Sequence, residues 1–127
     1  MRSRLRKLHV DGREFTWKAG IRAVRGSDGD RRRCIRVRVW GAGKAGRALQ
    51  ADLIEHPPPA SGAEAYSYPT AEDVRVLVRY GMLAGWMPAA AGGTFRVSST
   101  ADLALPGFAI TELLWAAEQP HPDAGAR

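Results

Sequence analysis

Residues 34–40, Cys34-Ile35-Arg36-Val37-Arg38-Val39-Trp40, alternate between the two sides of an extended chain. A period of two sends Ile35, Val37 and Val39 to one face and Arg36 and Arg38 to the other. A strand of this kind is half-buried. It does not suit a parallel sheet covered on both faces, whose strands read as near-continuous apolar runs.

The next extended segment, Ala48-Leu49-Gln50-Ala51-Asp52-Leu53-Ile54, alternates in the same way. Matching the apolar faces in an antiparallel pair sets Val39 against Leu49, Val37 against Ala51 and Ile35 against Leu53. The same register sets Arg36 against Asp52 on the outer face, where the pair reads as an exposed ion pair worth at most about 1 kcal/mol. A slip of one residue would bury Gln50 and Asp52, so the register is well specified.

Upstream, Asp11-Gly12 separates two alternating runs, Leu8-His9-Val10 and Arg13-Glu14-Phe15-Thr16-Trp17. Asp-Gly tolerates the positive φ angles of a type I′ turn and so signals a two-residue hairpin. Pairing around it sets Val10 opposite Arg13, His9 opposite Glu14 and Leu8 opposite Phe15. The second strand continues to about Val24, and the polar, glycine-containing residues 25–31 read as a loop.

Residues 56–69 form a proline-rich linker. Thr70 then caps a helix whose first turn carries Glu72 and Asp73, placed to complement the helix dipole. Val74, Leu77, Val78 and Met82 make one apolar stripe, and Val76, Tyr80 and Leu83 a second, which predicts a helix covered on both sides. Gly85 suits the C-cap. A short strand follows at residues 94–97. Residues 106–118 read as a helix with Ile110, Leu113, Leu114 and Ala117 inward, although 107–111 also fits a strand.

The chain therefore reads as α+β: a four-stranded antiparallel meander followed by a helix, a short strand and a C-terminal helix. Residues 1–118 form a single domain, and 119–127 a flexible tail. The expected core is Leu8, Val10, Phe15, Trp17, Ile21, Ile35, Val37, Val39, Leu49, Leu53, Val74, Leu77 and Val78. At 127 residues the chain has room for one modest core.

Charge is unevenly placed. Residues 1–47 hold 15 Lys and Arg against 4 Asp and Glu, and residues 48–127 hold 4 against 9, so +11 and −5 make the net +6. This layout suggests one face suited to anions. Arginine outnumbers lysine 16 to 3, a bias of coding composition that weakens any argument from arginine alone. No stretch approaches the roughly 18 apolar residues of a membrane helix. The basic residues 1–7 lead into no apolar run, so they do not read as a secretory signal. The single cysteine, Cys34, makes no internal disulfide, and a cytoplasmic location is expected.

Motifs for chemistry are few. Gly41-Ala42-Gly43-Lys44-Ala45-Gly46 matches the dinucleotide fingerprint G-x-G-x-x-G after a strand. That strand carries Arg36 and Arg38 on one face, no acidic residue ends a second strand about 20 positions on, and no βα series follows. A glycine-rich hairpin loop explains the stretch better. A nucleotide- or phosphate-binding enzyme using it is the alternative from another class. His9, His56, His121 and Cys34 lack metal-ligand spacing. Cys34 reads as an outer-face thiol with no base placed beside it. No catalytic residue, metal ligand or cofactor is expected.

The registers place Lys7, His9, Lys18, Arg22, Arg36, Arg38 and Trp40 on the face opposite the core. Lys18 falls directly opposite Arg38, a like-charge pair that costs stability unless solvent or an anion intervenes. Cations beside an aromatic on an open sheet suit an anionic macromolecule. Lys18, Arg36, Arg38 and Trp40 are the expected partner-binding residues, with Trp40 supplying apolar contact area. An acidic protein is the preferred partner and single-stranded nucleic acid the second, since the signature residues of an RNA-recognition sheet are missing. A membrane partner is not expected.

Val37-Arg38-Val39-Trp40-Gly41-Ala42-Gly43-Lys44, Leu49-Gln50-Ala51-Asp52-Leu53, Tyr68-Pro69-Thr70, Tyr80-Gly81 and Gly85-Trp86 together resemble a family of small actinobacterial proteins without a known activity. The resemblance covers about residues 35–115. It implies a bacterial cytoplasmic setting and no particular chemistry.

Overall fold

The structure, a computed structural model, describes residues 5–25, 29, 31–41, 46–55 and 68–119. The elements are β1 (Arg6–Val10), β2 (Arg13–Arg25), β3 (Arg31–Gly41), β4 (Ala48–Glu55), α1 (Ala71–Ala84), β5 (Thr94–Arg96), β6 (Phe108–Ile110) and α2 (Leu113–Glu118). Strands β1 to β4 form the antiparallel meander that alternation predicts, followed by helix, short strands and C-terminal helix.

The registers agree residue for residue. Val10 faces Arg13 and Leu8 faces Phe15 across the first hairpin, and Asp11 and Gly12 have φ of 51° and 82°. Both positive angles are what a type I′ turn demands. In the β3–β4 pair Val39 faces Leu49, Val37 faces Ala51, Ile35 faces Leu53 and Arg36 faces Asp52.

Two short strands share the far edge of β4. β5 runs parallel beside Ala48, Leu49 and Gln50, and β6 runs antiparallel beside Leu53, Ile54 and Glu55. The edge at β1 is kept from open pairing by charge and by α1: Arg75 donates to the His9 carbonyl. β1 stops opposite Trp17, and just beyond it the Tyr68 hydroxyl donates to the carbonyl of Ala19.

One face of the sheet carries the core. Leu8, Val10, Phe15, Trp17, Ala19, Ile35, Val37, Val39, Leu49, Ala51 and Leu53 pack with Val74, Leu77 and Val78 of α1 and with Trp86, Val97 and Phe108. α1 begins in a capping box: Thr70 accepts from the Asp73 amide, and Asp73 accepts from the Thr70 amide. Gly85 ends it at φ 108°.

Several expectations are corrected. Residues 108–110 are strand and only 113–118 are helix. The unpaired edge of β4 recruits this segment, and Phe108 and Ile110, two apart, both reach the core. Ile21 is 39% exposed because it lies beyond the part of β2 that β1 covers. The second stripe of α1 is covered only in part: Tyr80 packs against the core, and Leu83 is 90% exposed. Strands β2 and β3 run further than expected, pairing up to Arg25 and Arg31. Most of the linker (residues 56–67) and of the tail (120–127) lies outside the described residues.

Trp17 is buried, and its indole N–H meets no acceptor. Trp17→Ala should destabilise the fold by about 3–5 kcal/mol in chemical denaturation, as a large-to-small core change. Trp17→Phe should cost clearly less, because it keeps most of the ring volume and removes an unpartnered donor.

Candidate functional site

The second face of the sheet carries Lys18, Arg22, Arg36 and Arg38, whereas Arg6 and Arg13 lie over Trp17 and Phe15 on the core side. Lys18 on β2 stands directly opposite Arg38 on β3, Gly20 opposite Arg36, and Arg22 opposite Cys34. Gly20 has no side chain, so the four cations around it leave a hollow. Lys18, Gly20, Arg22, Arg36 and Arg38 line a cavity of about 110 Å³. A glycine inside a strand commonly marks close approach of another group.

The four cations are not equivalent. Arg36 is held by two carboxylates. Its Nε and Nη2 donate to the two Asp52 oxygens at 2.8 and 3.0 Å, and Nη1 and Nη2 donate to Glu118 at 2.7 and 3.0 Å. Those bonds use all but one of its five N–H groups. Hydrogen bonding to Asp52, outweighing the opposing effect of burial, holds this guanidinium still more firmly protonated than usual. The Arg36 and Asp52 side chains are 12% and 3% exposed, so the pair is not the exposed one the alternation suggested.

Lys18, Arg22 and Arg38 have no carboxylate partner among the described residues. Arg38 reaches only Thr94 Oγ1 at 3.4 Å, and its buried Nε–H has no acceptor. Its guanidinium lies 5.8 Å from the centre of the Trp40 ring. Trp40 itself is 7% exposed. It therefore offers a partner little contact area and instead forms a wall against which Arg38 rests.

Helix α2 covers the part of this face around Cys34. Leu114 packs on Val24 and Cys34, Glu118 reaches Arg36, and Glu112 binds Arg96 at 2.6 Å. Arg96 also lies 4.4 Å from the centre of the Trp115 ring. Cys34, expected as an outer-face thiol, is fully buried beneath the helix. Burial, and then the charge of Asp52, push its thiol up from the ordinary range, away from the reactive thiolate. Alternation could not show this, because the cover comes from a segment some 80 residues away in the chain.

The 41–46 stretch leads into β4, a strand antiparallel to β3, so the helix N-terminus that a dinucleotide fingerprint needs is replaced by a strand. Residues 42–45, Lys44 included, lie outside the described residues. Gly41 and Gly46 have packing reasons. A Cβ on Gly46, at φ 86°, would run into the Pro88 carbonyl, and one on Gly41 would sit 3.3 Å from the Pro88 ring. The Arg47 amide donates to that same carbonyl.

A larger hollow of about 330 Å³ opens beside the Asp11–Gly12 turn, lined by Val10, Phe15, Val78, Met82, Leu83 and flanking charged residues. It is chiefly apolar and distant in kind from the basic cavity. His9 stands 3.8 Å from Glu14, which also pairs with Lys7. Among the described residues no three His, Cys, Asp or Glu side chains gather as metal ligands, and no helix is long and apolar enough to cross a membrane.

The chain matches no family model, no curated protein and no solved structure.

Removing Arg36 leaves Asp52 buried without compensation. Arg36→Ala should therefore cost roughly 3–5 kcal/mol in denaturant unfolding. Glu118→Ala, at the exposed end of the network, should cost at most about 1 kcal/mol. It should nevertheless speed the reaction of Cys34 with a thiol reagent, since α2 loses an anchor.

The Ser99 amide, then Arg96, hold the Glu112 carboxyl below its usual range. A lowered folded-state pKa gives stability that is full above the unfolded value, about 4.3. That stability is lost as pH falls through the folded value. Glu112→Gln should accordingly reduce the stability difference between pH 7 and pH 3, read by denaturant midpoints.

Proposed function

We propose that this protein is a non-enzymatic binding module whose basic sheet face engages an acidic protein partner. The observation that carries the reading is the cluster of Lys18, Arg22 and Arg38, three cations that meet around Gly20 with no carboxylate partner among the described residues. Like charges directly opposite on a ladder cost stability. The chain keeps such a cluster at a cost, and attraction of an anion offsets it. α2 supports the reading as well: its Glu112 and Glu118 show that this face accepts acidic side chains from a helix.

Nucleic acid is the second reading within the same site. The burial of Trp40 disfavours it, because base stacking on an open ring is the usual source of single-strand affinity. Arg36 belongs to the site as a fixed element that shapes the cavity, and Trp40 as the support of Arg38.

Lys18→Glu tests the reading in two directions at once. It replaces a repulsive cross-strand pair with an attractive one, so stability should rise by about 0.2–1 kcal/mol. Binding of a glutamate-rich peptide, measured by titration calorimetry, should fall by about tenfold or more, and wild-type binding should weaken as salt rises. Unchanged peptide binding in the stabilised variant would show that the basic face is only a solvated surface.

A further inference from the structure

We infer that the cavity over Gly20 is a site for one tetrahedral dianion, a phosphate or phosphomonoester group. The inference rests on the acidic-partner reading and specifies its chemistry: the partner presents a phosphorylated side chain at this point.

Size is the first argument. At about 110 Å³ the cavity is small. Small-molecule sites run about 300–1,000 Å³. The cavity thus fits a chemical group and not a nucleotide or cofactor.

Charge is the second. Lys18, Arg22, Arg36 and Arg38 bring four positive charges, and the Asp52 and Glu118 carboxylates on Arg36 remove two. The remaining +2 matches a phosphate dianion, which carries about −1.5 to −2 near neutral pH. A single carboxylate would leave one cation of the cluster uncompensated.

Donor supply is the third. Lys18 and Arg22 have no carboxylate partner among the described residues, Arg38 makes one long bond to Thr94, and Arg36 keeps one free N–H. Charge-assisted bonds from such groups to phosphate oxygens are the strong kind. The floor is Gly20, whose place in the β2 alternation puts any added side chain on the same face as Lys18 and Arg22. Its φ is outside the positive range, so a β-branched residue fits the strand there.

Gly20→Val therefore fills the cavity without changing a single charge. The test uses the full chain at fixed ionic strength, followed by backbone amide shifts. Inorganic phosphate, an acidic peptide with one phosphoserine, and the same peptide without phosphate are titrated in turn. Phosphate should shift amides around Gly20 and Arg36 where chloride does not. The phosphopeptide should bind about tenfold tighter than its unphosphorylated form. Gly20→Val should abolish that tenfold preference and the phosphate shifts. Lys18→Gln should weaken phosphate binding in the same way and provides a second variant.

A phosphate response that survives Gly20→Val, or one that chloride reproduces, overturns the site. Phosphate shifts that vanish in Gly20→Val, with neither peptide bound, uphold the anion site for free phosphate and overturn the acidic-partner reading instead.

Discussion

The outer face of the sheet depends on the way Arg36 is held. Its guanidinium bridges Asp52, its cross-strand partner on β4, and Glu118, near the end of α2. One side chain thus links the middle of the meander to the last helix. Asp52 is almost fully buried, and burying a carboxylate is expensive unless a fixed cation answers it. The β3–β4 register supplies that cation, and any slip would separate the two. Both faces of β3 therefore enforce the same alignment: Ile35, Val37 and Val39 through the core, Arg36 through its carboxylates.

The charge asymmetry of the chain is resolved partly within the molecule. The acidic second half returns over the basic first half, with Glu118 on Arg36. Glu55 adds an ion pair with Arg33 on the other face. What α2 leaves uncovered is the Lys18, Arg22 and Arg38 cluster beside Gly20. The candidate site is in this sense a remainder: the part of a basic face that no carboxylate of the described residues reaches. Its walls are stiffened by Trp40 under Arg38 and by the two carboxylates that fix Arg36. A preorganised set of donors costs little further ordering when an anion arrives.

Where sequence reading fell short, the missing information lay in distant segments. Trp40 and Cys34 sit on the face that alternation marks as outer, yet both are buried, Cys34 under Leu114 of α2. A period of two assigns a side chain to a face, but it does not reveal whether that face has a second cover. Residues 108–110 carry apolar side chains compatible with either period, and the open edge of β4 decided in favour of strand. Leu83 repeats the lesson in reverse, since this end of the second apolar stripe on α1 stays in solvent.

By itself, the sequence determined the Asp11–Gly12 turn, three strand pairings with their registers, the Thr70 cap and most of the core. These follow from local sterics and from the agreement of neighbouring alternations, which act over short separations. Only the tertiary structure decided that Arg36 is a half-buried structural cation, that Trp40 supports Arg38, and that Gly20 floors a cavity ringed by charge. Those outcomes require segments far apart in the chain to meet. The energy of a buried charge is set by what finally surrounds it, not by its neighbours in sequence.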